Sequence, residues 1–527
     1  MHIGRSWKHR PPTGAFDAIV IGSGLGGLAA AAGLARFGKK RVLVLERHYR
    51  MGGYTQTFER PGYEWDVGVH YVGQFGPYGP LKGLFDNLTD RSVVFAPLPN
   101  VYDRVYLGER GYDFVTGRAP FTEQLTAYFP AEAAAIAAYV DLCCNVARAA
   151  RFYYLDKAFP TRPITPKGAR ARQLFASAAA RTTLDVLREL TQNEELIGVL
   201  TGQYGDYGLA PWRSSFAIHA GLFAHYLEGA FYPVGGSSVL AKAFAPVIEA
   251  AGGQLCHSAE VAEVLVEDGR AAGVKMSTGE TLRSDVIVSD AGVANTFRRL
   301  VPATHVPPPF AEALAQVEPS MSYVCLYLGF EKDDQALGLT GTNLWLYDDA
   351  RHDENTQRFE RDLKAPLPVV YASFPSAKDP SWKARYPGRA TIDLITPFRA
   401  DWTSQWSGTK WRKRGSDYAA LKEQLTQRML APLFARLPQL RDQVAYAELS
   451  TPLTAQHFAS HPKGELYGLE ATPSRYRAAI HTNSGLPGLY LTGVDLVSAG
   501  VGGALLSGAL CAGGLLGLDA FTEMMGH

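Results

Sequence analysis

Cysteine is scarce and poorly spaced for cross-linking. Five cysteines in 527 residues, Cys143 beside Cys144 and the others isolated, form neither a disulfide framework nor a C-x-x-C metal or redox pair. A reducing, cytoplasmic setting is expected, with each cysteine a small core residue. Charge of one sign is also missing. Lys plus Arg number 52 against 51 Asp plus Glu, so no long-range field draws in nucleic acid and no such partner is expected. The basic N-terminus, MHIGRSWKHRPPTG, lacks the apolar core of a signal peptide. The longest uncharged run, Leu496 to Leu518, has the length of a membrane span. Its glycines (Gly500, Gly502, Gly503, Gly508, Gly513, Gly514 and Gly517) suit close packing inside a fold better than a lipid face. His219 and His225 are six apart and have no third ligand pattern, so no metal is expected.

What is present is a soluble globular composition, 46% hydrophobic and 20% charged, long enough for about three domains or two interleaved α/β ones. Its clearest signal is Asp17 to Gly53. Ala18 to Ile21 reads as a buried strand, the Ala-rich run to Phe37 as a helix, and Arg41 to Leu45 as a second strand. Gly22, Gly24 and Gly27 between the first strand and the helix fit G-x-G-x-x-G, with Ser23, Leu25 and Gly26 completing the turn. Gly22 permits the tight turn, Gly24 lets amides approach a pyrophosphate, and Gly27 lets helix and strand pack closely. The helix N-terminus then holds the anion. Glu46, followed by Arg47, lies about twenty residues on, where a carboxylate meets an adenosine ribose.

A second turn at Gly52 and Gly53 follows the acid at once, and the hairpin PGYEWDVG then leads to Val69, His70 and Tyr71. In this the chain resembles FAD-binding proteins of the amine-oxidase and phytoene-desaturase type. The stretch ending in DVGVHYVG, together with FPSAKDPSWKARYPG and LTAQHFASHPKGELYGLE, is similar to the retinol saturase and carotenoid isomerase branch of the phytoene desaturase superfamily. The resemblance covers nearly the whole chain. It implies an α/β fold in which a Rossmann-like FAD-binding domain, built from residues 15–80, 230–300 and 485–527, interleaves with a sheet-plus-helix substrate domain of residues 81–229 and 301–484. It also implies that Val261 lies in the strand meeting the adenine and that Asp290 ends a strand near FAD. Gly493, Asp495, Val501 and Gly502 form the second cofactor segment, where a helix N-terminus faces the isoalloxazine and Asp495 the ribityl or pyrophosphate region. Relatives carry a basic residue and a Gln where this chain has Val234 and Val494.

Residues 81–229 read as mainly helical, with helical spacing over Glu132 to Phe152 and Thr183 to Tyr204. Phe152, Tyr153 and Tyr154 either line an apolar tunnel or pack core. Strands are expected at Gln254 to His257, Ser320 to Glu331, Asn343 to Tyr347, Val369 to Phe374, Ala390 to Ile395 and Leu489 to Thr492. The candidate proton donors are His70 and Tyr71, taken as lying on a strand, and Tyr232; for His70 flavin packing and for Tyr232 ordering of a turn stand as the alternatives. The resemblance implies a redox flavoenzyme that saturates or desaturates a carbon–carbon bond of a retinoid, carotenoid or fatty acyl chain. A polyene isomerase without net redox change, and a non-catalytic lipid-binding flavoprotein, remain open beside it. The electron donor or acceptor is unidentified: oxygen, a quinone, a carrier protein or transient NAD(P)H. DWTSQWSGTKWRKRG mixes Trp402, Trp406 and Trp411 with four cations, which is consistent either with peripheral contact at a bilayer or with a solvated loop.

Overall fold

The computed structural model describes residues 3–526; Met1 and His2 of the basic N-terminal stretch, and His527, lie outside the described residues. Six parallel strands form the first sheet in the order Arg5–Ser6, Gln254–His257, Val42–Leu45, Ala18–Ile21, Ile287–Ser289, Leu489–Leu491. The inner strands read AIVI and VLVL because a parallel sheet is covered on both faces, and all eight residues are buried. Since all six strands run one way, their carboxyl ends bring Gly22, Glu46, Asp290 and Gly493 to one edge, although the four are far apart in sequence. Open α/β sheets bind ligands at such an edge.

Two helices on this sheet set its geometry. Leu25–Gly38 packs against Gly500–Leu516, and a Cβ at Gly508 would fall against the Gly26 carbonyl oxygen and 2.5 Å from the Ala29 Cβ. The glycine-rich run of Leu496 to Leu518 is thus largely a core helix. The Ala133–Ala158 helix also belongs to a stretch long and apolar enough to cross a membrane. Its Ile136, Tyr139, Val140 and Val146 enter a core shared with the Phe216–Tyr226 helix, while Asp141, Asn145 and Arg148 face outward.

The second sheet has seven strands, in the order Val444–Ser450, Ser322–Phe330, Ala390–Phe398, Val370–Ser373, Asn343–Tyr347, Val101–Leu107, Arg110–Val115. Its last two strands correct the expectation that residues 81–229 carry no strand alternation, as does the short strand Phe95–Pro97. The hairpin was concealed by Asp103, a buried acid at a position where an apolar residue would have continued the pattern. The helix expected over Thr183 to Tyr204 is two, Thr183–Leu190 and Glu194–Leu200, because the Asn193 side chain accepts from the amides of Glu195 and Leu196 and restarts the helix. His70 and Tyr71 are not on a strand; the strand is only Val72–Gly73.

Alternation along the second sheet separates two environments. Val324, Leu326, Leu328, Leu344, Leu346, Val370, Ile392 and Leu394 join a core with Leu425, Met429 and Leu433 of the Ser416–Arg436 helix. On the other face Tyr323, Cys325, Tyr327, Trp345, Tyr371 and Ile395 line a cavity. Because a side chain at Gly508 would meet the rigid backbone of Gly26 and Ala30 as well as the Ala29 methyl, Gly508→Val is expected to destabilise the fold by about 1–3 kcal/mol or more. Thermal denaturation of the variant should show a clearly lower midpoint than wild type.

Candidate active site

The site starts from the turn after Ala18–Ile21. Gly22 has φ +99°, a conformation that L side chains rarely adopt, and its amide donates to the Leu45 carbonyl at 2.8 Å. Ser23 then donates twice to Glu46 Oε2, from its amide at 3.0 Å and its hydroxyl at 2.6 Å, while the Gly52 amide donates to the Ser23 hydroxyl at 3.0 Å. The His48 amide takes Glu46 Oε1 at 2.7 Å. One carboxylate therefore ties both glycine turns together. The Leu25–Gly38 helix begins after Gly24 with no side-chain cap from that residue, which leaves the amides of Leu25 and Gly26 for an anion, while the Gly27 amide meets Asp290.

Opposite this turn, Asp290 lies against Gly24, Gly26 and Gly493. Burial, aided by the Glu46 and Asp495 charges, pushes its carboxyl up to about 7 against the Gly27 amide and His461, which favour the charge. A carboxyl raised in this way repels an anion at the helix N-terminus less than a fully ionised one would. Gly493 has φ +102°, and Gly500, φ +83°, has open space where a side chain would stand, at the start of the Gly500–Leu516 helix.

A single cavity of ≈ 540 Å³ joins these features. Gly22, Ser23, Gly24, Leu25, Gly26, Glu46, Arg47, Gly52, Gly53, Val261, Asp290, Gly493, Asp495 and Val501 all line it, as does His70. The donors and glycine turns at one end fit the phosphates and ribose of FAD, and the cavity continues unbroken toward the aromatic face of the second sheet. Four expected site residues lie off it. A Cβ at Gly27 would sit 2.5 Å from the Gly22 carbonyl oxygen, and one at Gly502 would sit 2.5 Å from Leu81 Cδ1, so both glycines serve packing. Tyr71 is a layer behind, stacked on Tyr226 at 4.3 Å. Tyr232 donates to Asp66, which also accepts from the Ser237 amide and hydroxyl, so it orders the turn at Gly235 and Gly236. Asp495 lines the cavity, but its two oxygens accept from Leu469 and Val293 amides, each at 2.8 Å, and clamp three chain segments together. Val494 lines the cavity, whereas Val234 donates its amide to the Val94 carbonyl away from it. Tyr153 and Tyr154 pack on Phe175 rather than lining a tunnel.

Behind the far end lies a polar cluster that the sequence reading missed: Asp66, Asp103, Asp393 and Lys378, all buried, with the half-buried Asp206 on the cavity wall. Asp103 is met by Asn343 Nδ2 at 2.7 Å, Gln203 Nε2 at 2.5 Å, Trp345 Nε1 at 3.1 Å and the Tyr71 hydroxyl at 2.9 Å. Lys378 donates to the His70 carbonyl at 2.9 Å, to Ser373 Oγ at 2.7 Å and to Asn343 Oδ1. Burial brings this ammonium down to about 7 despite the surrounding carboxylates. Burial, then Lys378, lowers His70 to about 4, and burial pushes Asp393 well above the carboxylate range. His70 Nδ1 lies 3.4 Å from Asp393 Oδ2, a distance that would permit an ion pair, but an unprotonated imidazole facing a protonated carboxyl is a contact of neutral groups. Asp206 lines the cavity, and its Oδ2 lies 2.7 Å from the Tyr71 hydroxyl. The available signal was an acid in mid-strand, as in VYDRVYL and ATIDLITPF.

Gly26 is where the two glycine segments touch, and a Cβ there would come within 2.8 Å of the Gly493 amide nitrogen, a rigid backbone atom. Gly26→Ala should separate the two segments and lower retained flavin at least tenfold, read as the ratio of visible flavin to protein absorbance after purification.

The chain matches the family model described as flavin containing amine oxidoreductase over residues 25–516. It is 36% identical to the all-trans-retinol 13,14-reductase of Danio rerio, with 96% of this chain and 88% of that one covered. It is 26% identical to the chloroplastic prolycopene isomerase of Daucus carota, with 94% and 79% covered. A solved structure of wild-type putrescine oxidase bound to putrescine superposes with a TM-score of 0.64, covering 96% of this chain and all of that one (100%) at 14% identity, which speaks for the fold alone. The chain belongs to the flavin-containing amine oxidoreductase family, in its retinol saturase and carotenoid isomerase branch, and is an FAD-dependent oxidoreductase acting on carbon–carbon bonds.

Proposed function

We propose that the protein reduces a carbon–carbon double bond of a retinoid-like polyene. The observation that carries this is the single cavity running from the FAD-holding turns to a chamber walled by Tyr323, Tyr327, Trp345 and Tyr371. FAD, when bound, supplies hydride transfer to or from carbon. The chain's part is to hold a flat apolar substrate between aromatic faces, exclude water and provide a proton source. The name of the 36% identical relative supports reduction of a retinoid over oxidation. The test is anaerobic mixing of the flavin-reduced enzyme with all-trans-retinol. Reoxidation of flavin with a product two hydrogens heavier is expected. A product of unchanged mass would make the protein an isomerase, and no change in flavin or substrate across a panel of retinoids and carotenoids would make it a binding protein; either result overturns the reading.

We further propose that substrate enters from an anionic membrane surface. All three tryptophans pack on aromatic rings, Trp402 on Phe359 and Phe398, Trp406 on Tyr418 and Trp411 on His457 and Phe458, but only Trp411 is exposed, so it is the one that serves such a contact. Trp411, 40% exposed, and Tyr49, 51% exposed, line the cavity where it opens, and Lys410, Arg412 and Lys413 are exposed around Trp411. Each cation near an anionic surface adds about 1 kcal/mol of attraction. Phosphatidylserine vesicles should co-sediment the protein, and Trp411→Ala combined with Arg412→Ala should weaken binding at least tenfold; indifference of wild type to such vesicles would refute the contact.

A further inference from the structure

We propose that Asp206 is the acid that protonates the substrate carbon during this reduction, with Tyr71 as its positioning residue; the proposal rests on the reading that the chamber holds a double bond to be reduced. The geometry comes first. The Tyr71 hydroxyl lies 2.7 Å from Asp206 Oδ2 and 2.9 Å from Asp103 Oδ2, yet it has one proton to give. For both contacts to be hydrogen bonds, one of the two carboxyls must itself be protonated. Asp103 is surrounded by the side-chain donors of Asn343, Gln203 and Trp345, which satisfy it as a carboxylate. The extra proton therefore resides on Asp206, which has Tyr71 as its one hydrogen-bonding side chain among the described residues and stands open to the cavity.

The environment keeps it there. Burial, then the neighbouring Asp103 charge, raises the Asp206 carboxyl to about 8, against the opposing effects of the Tyr71 hydrogen bond and the Lys378 charge. The tyrosines facing it, Tyr102, Tyr226, Tyr323, Tyr347, Tyr371 and Tyr467, are all raised above their ordinary range and add no charge near neutrality. A protonated carboxyl at pH 7 that faces an apolar chamber is poised as a general acid.

The step balances. As one alkene carbon gains a hydride from reduced FAD, the two-electron reductant, the π pair of the broken double bond takes the Asp206 proton at the neighbouring carbon. Two C–H bonds form; the π bond, the Asp206 O–H bond and the N–H bond of the reduced flavin that would supply the hydride break, so the two electrons come from the flavin and the proton from Asp206. Asp206 is left as a carboxylate, accepting from Tyr71 and eased by Lys378, until a solvent proton restores it between turnovers. A raised carboxyl acts as an acid below its pKa, so the rate should be full near neutrality and fall as pH rises through about 8.

The experiment follows reoxidation of pre-reduced flavin by all-trans-retinol in wild type, Asp206→Asn and Asp206→Glu. Removal of a general acid typically costs 10²–10⁴-fold, so Asp206→Asn should be at least about a hundredfold slower while retaining flavin and quenching its fluorescence with retinol as wild type does. The alkaline limb should vanish from what rate remains, and Asp206→Glu should recover part of the rate and the limb. A wild-type rate, or an unchanged alkaline limb, in Asp206→Asn overturns the proposal. An infrared difference between wild type and Asp206→Asn should also show a protonated-carboxyl band at neutral pH that fades above about pH 8. Absence of that band overturns the protonated acid whether or not retinol is turned over. Failure of wild type to reoxidise with any polyene while the band is present would instead locate the fault in the proposed substrate reaction.

Discussion

Everything at the cofactor end depends on how closely two helices approach. Gly508 lies against the Gly26 carbonyl with no room for a methyl group, and that contact fixes the start of the Gly500–Leu516 helix relative to the turn at Gly22 to Gly26. Two segments separated by most of the chain thereby become one binding surface, with Gly26 in contact with Gly493. The Ser23, Glu46 and Gly52 hydrogen bonds then set the second glycine turn against the first. Because these elements are strand ends and helix starts, the amides at the first glycine turn are positioned by rigid secondary structure.

The other end of the cavity is organised by charge that has been taken out of water. Buried carboxylates are costly unless they are paired or protonated, and this cluster uses both solutions. Asp66 and Asp103 gather donors from Ser237, Tyr232, Asn343, Gln203 and Trp345, and they hold strands and turns in register. Among the described residues Asp393 has no hydrogen-bond donor and the Asp206 side chain meets only the Tyr71 hydroxyl, so these two retain protons. The same desolvation that penalises the fold thus leaves neutral acids beside an apolar chamber. Lys378 lies among them and ties the His70 carbonyl to Asn343, joining the loop after the first sheet to the floor of the second.

The glycine turns and the acid beside them were legible because their geometry is local. A turn that needs φ above zero, a helix N-terminus without a side-chain cap and an acid after the second strand are readable as glycines and a Glu at fixed spacing. Strand positions at Gln254, Ser322, Asn343 and Ala390 were likewise readable from alternation. Tyr232 and Tyr71 were misplaced at the substrate because a tyrosine beside a glycine turn reads the same whether its hydroxyl meets a ligand or a buried carboxylate. The Val101–Leu107 and Arg110–Val115 hairpin was missed for a related reason, since a buried Asp103 looks like a surface residue until its partners are known.

The sequence by itself determined the dinucleotide turn, the family resemblance and most strands of both sheets, all of which depend on neighbours within a few residues or on periodicity along one element. Only the tertiary structure decided which titratable groups gather at the far end of the cavity. Asp206, Lys378 and Asp393 come from separate elements and acquire their protonation from burial and from one another, and neither property is a function of spacing along the chain.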